Sequence, residues 1–362
     1  MIGKTLALYF ARQYALLVIA VFLFFFALIF LITYLEFFTR TVETSEFDPL
    51  RVFILTAFRV PSIAEEVMPF TTLFGSIAAF VLANRRLEVV IARAAGISAW
   101  QFLLPACIVG LVIGIFATVV YNPVASSLRK WSDEIAADVL STTAAKAEKG
   151  GPVWIRQASA GRESIIGALQ SSNQGLSLAR VTAFVFDDKG DFTERIDARR
   201  AEYTSGEWMI QKAIVTTPNR RPRHQAEYRL PTSLTAHQVR DAFENLESTS
   251  FWELSALIDS ARKAGMPTAR YELRYNVLMS RPVVLLAMVM IAAIVSLRFS
   301  RSSELGRMIL AGVGVGFMLY VVSKIAWDLG SGGIVPATLA AWFPAIATVL
   351  MGATVLLHLE DG

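Results

Sequence analysis

From Tyr14 to Leu35 the chain runs for 22 residues without a charge. At about 1.5 Å of rise per residue, a helix of that length spans roughly 33 Å, enough to cross a hydrocarbon core of about 30 Å. A helix apolar on every face has none to turn toward water, so the run commits this part of the chain to a bilayer. It is too long for the apolar centre of a secretory signal, and no small-x-small cleavage pattern follows it. The segment before it, Met1 to Gln13, is short and basic, with Lys4 and Arg12.

Five further runs repeat the constraint. The second reaches from about Pro61 to Ala83, uncharged from Val67 onward, with Glu65 and Glu66 at its entrance; Glu36 to Arg59 before it reads as a mixed-charge loop. The third is centred on Phe102 to Tyr121 and stays uncharged to Leu128, so its helix is expected to project beyond the membrane. The fourth, Pro282 to Leu297, is short, so Arg281 and Arg298 must snorkel or the helix must begin earlier. The fifth starts at Met308 and reaches Leu329 if Lys324 is tolerated, and the sixth covers about Ala337 to Leu357. Hydrophobic residues make up 54% of the 362 and charged ones 18%, against roughly a quarter in soluble domains. Most of those charges lie between Arg129 and Arg274, which makes the chain a membrane frame with one polar insertion.

Within the insertion the pattern has period two. Val181, Ala183 and Val185 alternate with Thr182, Phe184 and Phe186, Asp187-Asp188-Lys189-Gly190 supplies a turn, and Ile196–Tyr203 and Glu207–Thr216 read as further strands around Ser205-Gly206. Short strands with turns every 8–12 residues indicate an all-β sandwich or jelly roll. Ser250 and Glu253 then form a capping box for a helix ending at Gly265, and Thr268 opens the next. The expected fold is an α-helical membrane protein, a 3+3 transmembrane bundle of six spans with an inserted all-β jelly-roll domain. Its parts are 1–140 (spans one to three), 141–249 (β domain) and 250–362 (a helix and spans four to six).

Charge placement orients the frame. The short connections 84–99 and 298–307 each carry three arginines against one glutamate, which, with Lys4 and Arg12, puts both termini and both connections in the cytoplasm. The β domain is then periplasmic, if the source is a Gram-negative cell. The net charge of +4 does not indicate nucleic-acid binding, because the insertion is nearly balanced and the excess sits beside apolar runs. Cys107 lies in an apolar run, and His224, His237 and His358 have no ligand spacing, so no disulfide or metal site is expected.

No span carries a row of acids suited to proton or ion coupling, and no nucleophile–base pair is visible, so the chain is not expected to be an enzyme and its energy must come from another chain. The segment Leu82 to Ser98 is where such a chain could attach. Leu87, Val90, Ile91 and Ala94 recur at three and four residues and make one apolar stripe, while Arg86, Glu88 and Arg93 project elsewhere. A short amphipathic helix of this kind, about 84–97, is the usual contact between a membrane subunit and a separate ATPase; an unpartnered positive-inside loop is the plainer reading.

The chain resembles the LptF/LptG (YjgP/YjgQ) permease family over essentially its whole length. The resemblance rests on Val60-Pro61, Met68-Pro69 leading to Gly75, Arg86-Leu87-Glu88-Val89-Val90 followed by Ala95-Gly96-Ile97-Ser98, Trp154-Ile155, Ile196-Asp197-Ala198, the Phe251-Trp252-Glu253-Leu254 helix and the closing spans. Ile2-Gly3-Lys4-Thr5 and the segment after Val60-Pro61 lie on the LptG side of the family.

That resemblance implies a permease that pairs with its paralogue, LptF, over an LptB ATPase dimer in the bacterial inner membrane. ATP and Mg belong to LptB, with no cofactor on this chain. The pair takes lipopolysaccharide from the membrane and passes it through the β domains to a bridge protein, LptC or LptA. The coupling contact would comprise Arg86, Glu88, Val90, Ile91 and Arg93, with Glu88 its main polar group. Basic side chains at a cavity rim would meet the lipid phosphates, here Arg40 and Lys324, and aromatics such as Phe26 and Phe74 would line the cavity. The family tends to place lysines on the outer part of the first span; this chain has Tyr34 and Leu35 there, then Arg40. The bland reading of Lys324 is an i,i+4 pair with Asp328. Three other readings are weaker. A hydrolase lacks a catalytic set, a β-domain sensor lacks an output domain, and a permease for another amphiphile, such as a lipoprotein, sits poorly with the 3+3 layout.

Overall fold

The computed structural model describes residues 4–41, 48–140, 153–159, 162–172, 176–187, 191–204, 206–218, 221–232, 234, 248–263, 268–298 and 305–361. They form two compact units, one of Met1–Glu43, Phe47–Asp133 and Leu246–Gly362, the other chiefly Glu134–Asn245. The first unit contains the helices α1 (Lys4–Thr41), α2 (Pro49–Arg85), α3 (Glu88–Ala94) and α4 (Ala99–Phe116). A π-helical turn, Ala117–Tyr121, leads into α5 (Asn122–Leu140); after the insertion come α6 (Phe251–Lys263), α7 (Ala269–Arg298), α8 (Leu305–Ser331) and α9 (Ala337–Asp361). Among the described residues six helices are long and apolar enough to cross a membrane: α1, α2, α4 continued through the π turn, α7, α8 and α9.

The stretch Glu36–Arg59 is largely helical and not the loop expected from its mixed charge, with α1 running on to Thr41 and α2 starting at Pro49. The start has a local cause: Asp48 accepts from the Leu50 backbone N–H at 3.0 Å, and Pro49 occupies the first helical turn, where its missing N–H costs nothing. The short fourth span is likewise the core of a longer helix, α7, which begins at Ala269.

α7 forms the axis of the bundle. Leu285, Ala287, Met288, Val289, Ile291, Ala292 and Ala293 are all buried, so it is covered on every side. Helices in lipid gain little from apolar contact alone and associate through close packing at small residues. A Cβ on Gly75 would stand 2.7 Å from the Val18 Cα of α1, and one on Gly114 would stand 2.4 Å from the Pro282 Cα of α7. Those two glycines set how near α1 comes to α2 and α4 to α7.

A polar seam runs between α2 and the far part of the third span. Buried Asn122 donates to the Glu65 carboxylate at 2.9 Å, and Arg281, also buried, forms an ion pair with the same Glu65 oxygen. Tyr121 donates to the Pro61 carbonyl at 2.9 Å, Arg129 to Ser62 Oγ at 3.0 Å, and Arg59 pairs with Asp133. Glu65 is 4% exposed, and the Arg281 side chain turns to it instead of snorkelling. Two buried opposite charges hold each other in low dielectric, which removes the need for either to reach water.

The seam also holds α6. Asn122 Oδ1 accepts from the Phe251 backbone N–H at 2.8 Å, and the Ser250/Glu253 capping box is present, Ser250 N–H donating to the Glu253 carboxylate at 3.2 Å and Glu253 N–H to Ser250 Oγ at 3.4 Å. Lys130 reaches Glu253 at 2.9 Å. Partial burial pushes the Glu253 carboxyl upward, but the Lys130 ammonium and the Ser250 donors outweigh it and hold the group below its usual value. A depressed carboxyl stabilises the fold above the ordinary carboxylate range and loses that contribution as pH falls through its lowered value. Acid titration of the purified protein should therefore show a stability loss that Glu253→Gln reduces, read from helix melting between neutral and acid pH.

The second unit is one six-stranded antiparallel sheet in the order β1 (Val153–Ser159), β2 (Arg162–Ser172), β3 (Ser177–Phe186), β4 (Phe192–Thr204), β5 (Glu207–Thr216) and β6 (Arg223–Pro231). The all-β insertion is thus present, with neighbouring strands joined in sequence. The sheet curls until its ends meet: Gln157 on β1 accepts from Trp208 Nε1 on β5 at 3.3 Å and from Thr232, just past β6, at 2.7 Å. Ile166, Leu178, Val181, Ile196, Trp208 and Ile210 fill the inside.

Candidate functional site

The connection between α2 and α4 is built by local backbone chemistry. α2 ends at Arg85, and two residues later Leu87 takes a left-handed conformation, φ 60°, to reverse the chain into α3. A non-glycine residue there is strained by its Cβ. The other end is relaxed: Gly96 stands at φ 79°, Ile97 N–H donates to the Ala92 carbonyl at 3.0 Å and Gly96 N–H to the Arg93 carbonyl at 3.0 Å. Those bonds close a Schellman cap that needs glycine at its left-handed position. Ser98 then caps α4, accepting from Gln101 N–H at 3.2 Å. The Ala95-Gly96-Ile97-Ser98 string is a stop for one helix followed by a start for the next.

Seven residues of α3 divide into two faces. Val89 and Ala92 are buried with Phe80, Ala83 and Phe102 of α2 and α4. On the other face Leu87 and Val90 are each 58% exposed and Ile91 65%, with Arg86, Arg93 and Ala94 exposed beside them. The apolar stripe expected at 87, 90, 91 and 94 therefore faces outward. Glu88 lies on neither face. Its side chain is 16% exposed and turned toward α1, accepting from the Tyr9 hydroxyl at 3.1 Å, with Arg86 at 3.9 Å.

Phe74 stacks on Phe25 with ring centroids 5.7 Å apart, whereas Phe26 packs against Phe22 within α1. Lys324 on α8 is 57% exposed and lies 3.6 Å from Asp328 one turn later. Arg40 belongs to the last turn of α1, and its side chain lies outside the described residues. Among the described residues no group of three or more His, Cys, Asp or Glu could hold a metal ion.

Sequence reasoning missed Tyr9, Gln13, Asn122 and the Glu65–Arg281 pair. Glu65 and Arg281 did carry a signal, one of two adjacent acids at the entrance of one span and a base at the mouth of another. Their pairing is a tertiary fact that spacing does not encode.

Six apolar helices, a β sheet inserted in sequence between the third and the fourth of them, and a short two-faced helix between the second and third define a multi-pass membrane protein. The model of the lipopolysaccharide export system permease LptF/LptG family matches residues 8–358, and the chain belongs to that family. Among curated proteins it is similar to the lipopolysaccharide export system permease protein LptG of Haemophilus influenzae, 24% identical over 323 residues that cover 86% of this chain and 87% of the relative.

Proposed function

We propose that the chain is a permease subunit of an ABC transporter that extracts lipopolysaccharide from the inner membrane and passes it to a periplasmic bridge, driven by ATP hydrolysis on a partner chain. The observation that carries this reading is the outward apolar strip of α3, Leu87, Val90 and Ile91, flanked by Arg86 and Arg93. Such a strip on a connection too short to lie in the hydrocarbon has the composition of a protein contact. Its occupant is an ATPase of the LptB kind, holding ATP and Mg, so this chain is a non-catalytic subunit.

The arginines of the same connection favour the cytoplasmic side, which puts both termini there and the curled sheet in the periplasm. α1 and α8 are the spans least covered by the rest of the chain, 6% and 17% of their apolar windows being buried. These two open flanks suit a paralogous permease of the LptF kind, with the lipid chains held between. At the rim, Lys324 pairs with exposed Asp328 one turn on, a contact worth a few tenths of a kcal/mol, so its ammonium can exchange Asp328 for a lipid phosphate. Arg40 and the aromatics Phe26 and Phe74 complete this substrate reading, and LptC or LptA takes the lipid onward from the sheet.

Affinity purification in mild detergent tests the whole reading. A soluble ATPase, a second permease and lipopolysaccharide should co-purify, and recovery of the chain with a different amphiphile, or with no ATPase, would overturn it.

A further inference from the structure

The geometry points to a binding site on the outer face of the curled sheet, where Arg180, Arg199 and Lys212 stand in one row and take the phosphorylated sugar head of lipopolysaccharide. Resting on the lipopolysaccharide reading above, this gives the lipid head a place on the β domain that is distinct from the sheet's buried face.

Strand register makes the row. Ala179 lies opposite Arg200 and Val181 opposite Ala198, so Arg180 of β3 faces Arg199 of β4 between them. Asp197 lies opposite Ile214 and Arg200 opposite Gln211, so Arg199 in turn faces Lys212 of β5. Neighbouring strands are about 4.8 Å apart, which sets three cations along one line of about 10 Å. All three are exposed. The in–out alternation slips at this line. On β3 both Ala179 and Arg180 separate the buried Leu178 and Val181, where strict alternation allows one residue, and on β5 Gln211 and Lys212 separate Ile210 and Ala213 in the same way. Arg180 and Lys212 achieve the slip by taking left-handed backbone, φ 52° each. A side chain is strained there, whereas glycine would carry no steric cost.

The row also works against itself electrostatically, because like charges directly across a sheet repel. The acids nearby are engaged elsewhere: Asp197 pairs with Arg195 at 2.9 Å, Glu202 with Arg200 at 3.1 Å and Glu227 with Arg229 at 3.5 Å. Arg180, Arg199 and Lys212 have no acidic partner among the described residues. A polyanion laid along the line turns their repulsion into attraction. The planar forks of two neighbouring arginines match the oxygens of one phosphate, and Lys212 supplies a point charge for a second. Val181, Ile210 and Ala213 beside the row face the core, so the site suits a sugar head and not an acyl chain.

The test uses the full-length permease purified with its partners in neutral detergent, carrying a photoreactive amino acid at Ala226, which lies opposite Lys212 on β6. The probe is labelled de-acylated lipopolysaccharide, which keeps its sugar phosphates and lacks the chains that the spans would hold. Saturable crosslinking is expected. The triple change Arg180→Gln, Arg199→Gln and Lys212→Gln should weaken it by about ten-fold or more, the factor carried by one charge-assisted hydrogen bond. Phosphatase treatment of the probe should erase the difference between the two proteins. The triple variant should melt at the wild-type temperature or above it, since its charges no longer repel. Equal crosslinking by both proteins, or by the treated and untreated probes, would overturn the inference. A lower melting temperature would do so too, by making the row structural, and displacement of the probe by an equal concentration of inorganic pyrophosphate would remove its preference for a sugar head. Failure of the underlying functional reading looks different, since lipopolysaccharide would then be missing from the affinity-purified wild-type complex.

Discussion

Glu65→Ala is expected to lower the stability of the bundle by about 3–5 kcal/mol, the usual cost of removing one partner from a buried ion pair. Arg281 would keep its charge in a site that is almost closed to solvent, and Asn122 would lose the acceptor for its amide. Because Asn122 also caps the backbone of α6 at Phe251, part of the loss should appear as fraying of that helix. The double change Glu65→Met with Arg281→Met should recover much of the stability, since a matched apolar pair leaves no charge to desolvate. Denaturation of the purified protein in mixed micelles, followed by helical circular dichroism, compares the two. A double variant no more stable than Glu65→Ala would show that the seam depends on its other hydrogen bonds and not on the pair.

Ile91→Glu is expected to release the proposed ATPase partner while leaving the bundle intact. Ile91 is 65% exposed on α3, so the substitution buries no charge within this chain. At the centre of a small apolar contact it would bury one against the partner, and a hot-spot loss of about 2 kcal/mol corresponds to roughly 30-fold weaker binding. Titration of the ATPase onto detergent-purified permease measures that shift, and helix melting on the same samples controls for folding. Arg93→Ala, at the rim, should change affinity little and salt dependence more. Unaltered affinity in Ile91→Glu would place the ATPase contact elsewhere.

The spans were legible because lipid enforces a simple rule, that a helix crossing it must be apolar over its whole length. Tyr14–Leu35 could be nothing else. Where charges interrupt the run the rule loses its grip, and Glu36–Arg59 read as a loop although both flanking helices extend into it. There the ends are decided by the Asp48 cap and by the α2–α5 seam, which are contacts and not composition. In the β domain the alternation that sets Val181, Ala183 and Val185 against Thr182, Phe184 and Phe186 separates the two faces, and the first three are the buried ones. The curl that brings Gln157 to Thr232 depends on partners 75 residues apart and leaves no local trace. The same limit applies to α3. Spacing found the stripe and set Glu88 apart from it, but it did not name Tyr9 as the partner of Glu88, because a helical repeat says which residues share a face and not which neighbour a side chain turns to meet.

The π turn at Ala117–Tyr121 sets the phase of everything after it. Such a turn accommodates one extra residue in an otherwise regular helix. Before it, the third span presents Gly110 and Gly114 to α7; after it, Asn122, Arg129 and Ser132 face α2 and α6. Each residue advances a helix by about 100°, so a chain shortened by one residue within 117–121 could keep only one of these two alignments. The length of this span is therefore fixed to the single residue, and insertions or deletions that a surface helix would absorb are excluded here by the angular match between its two halves.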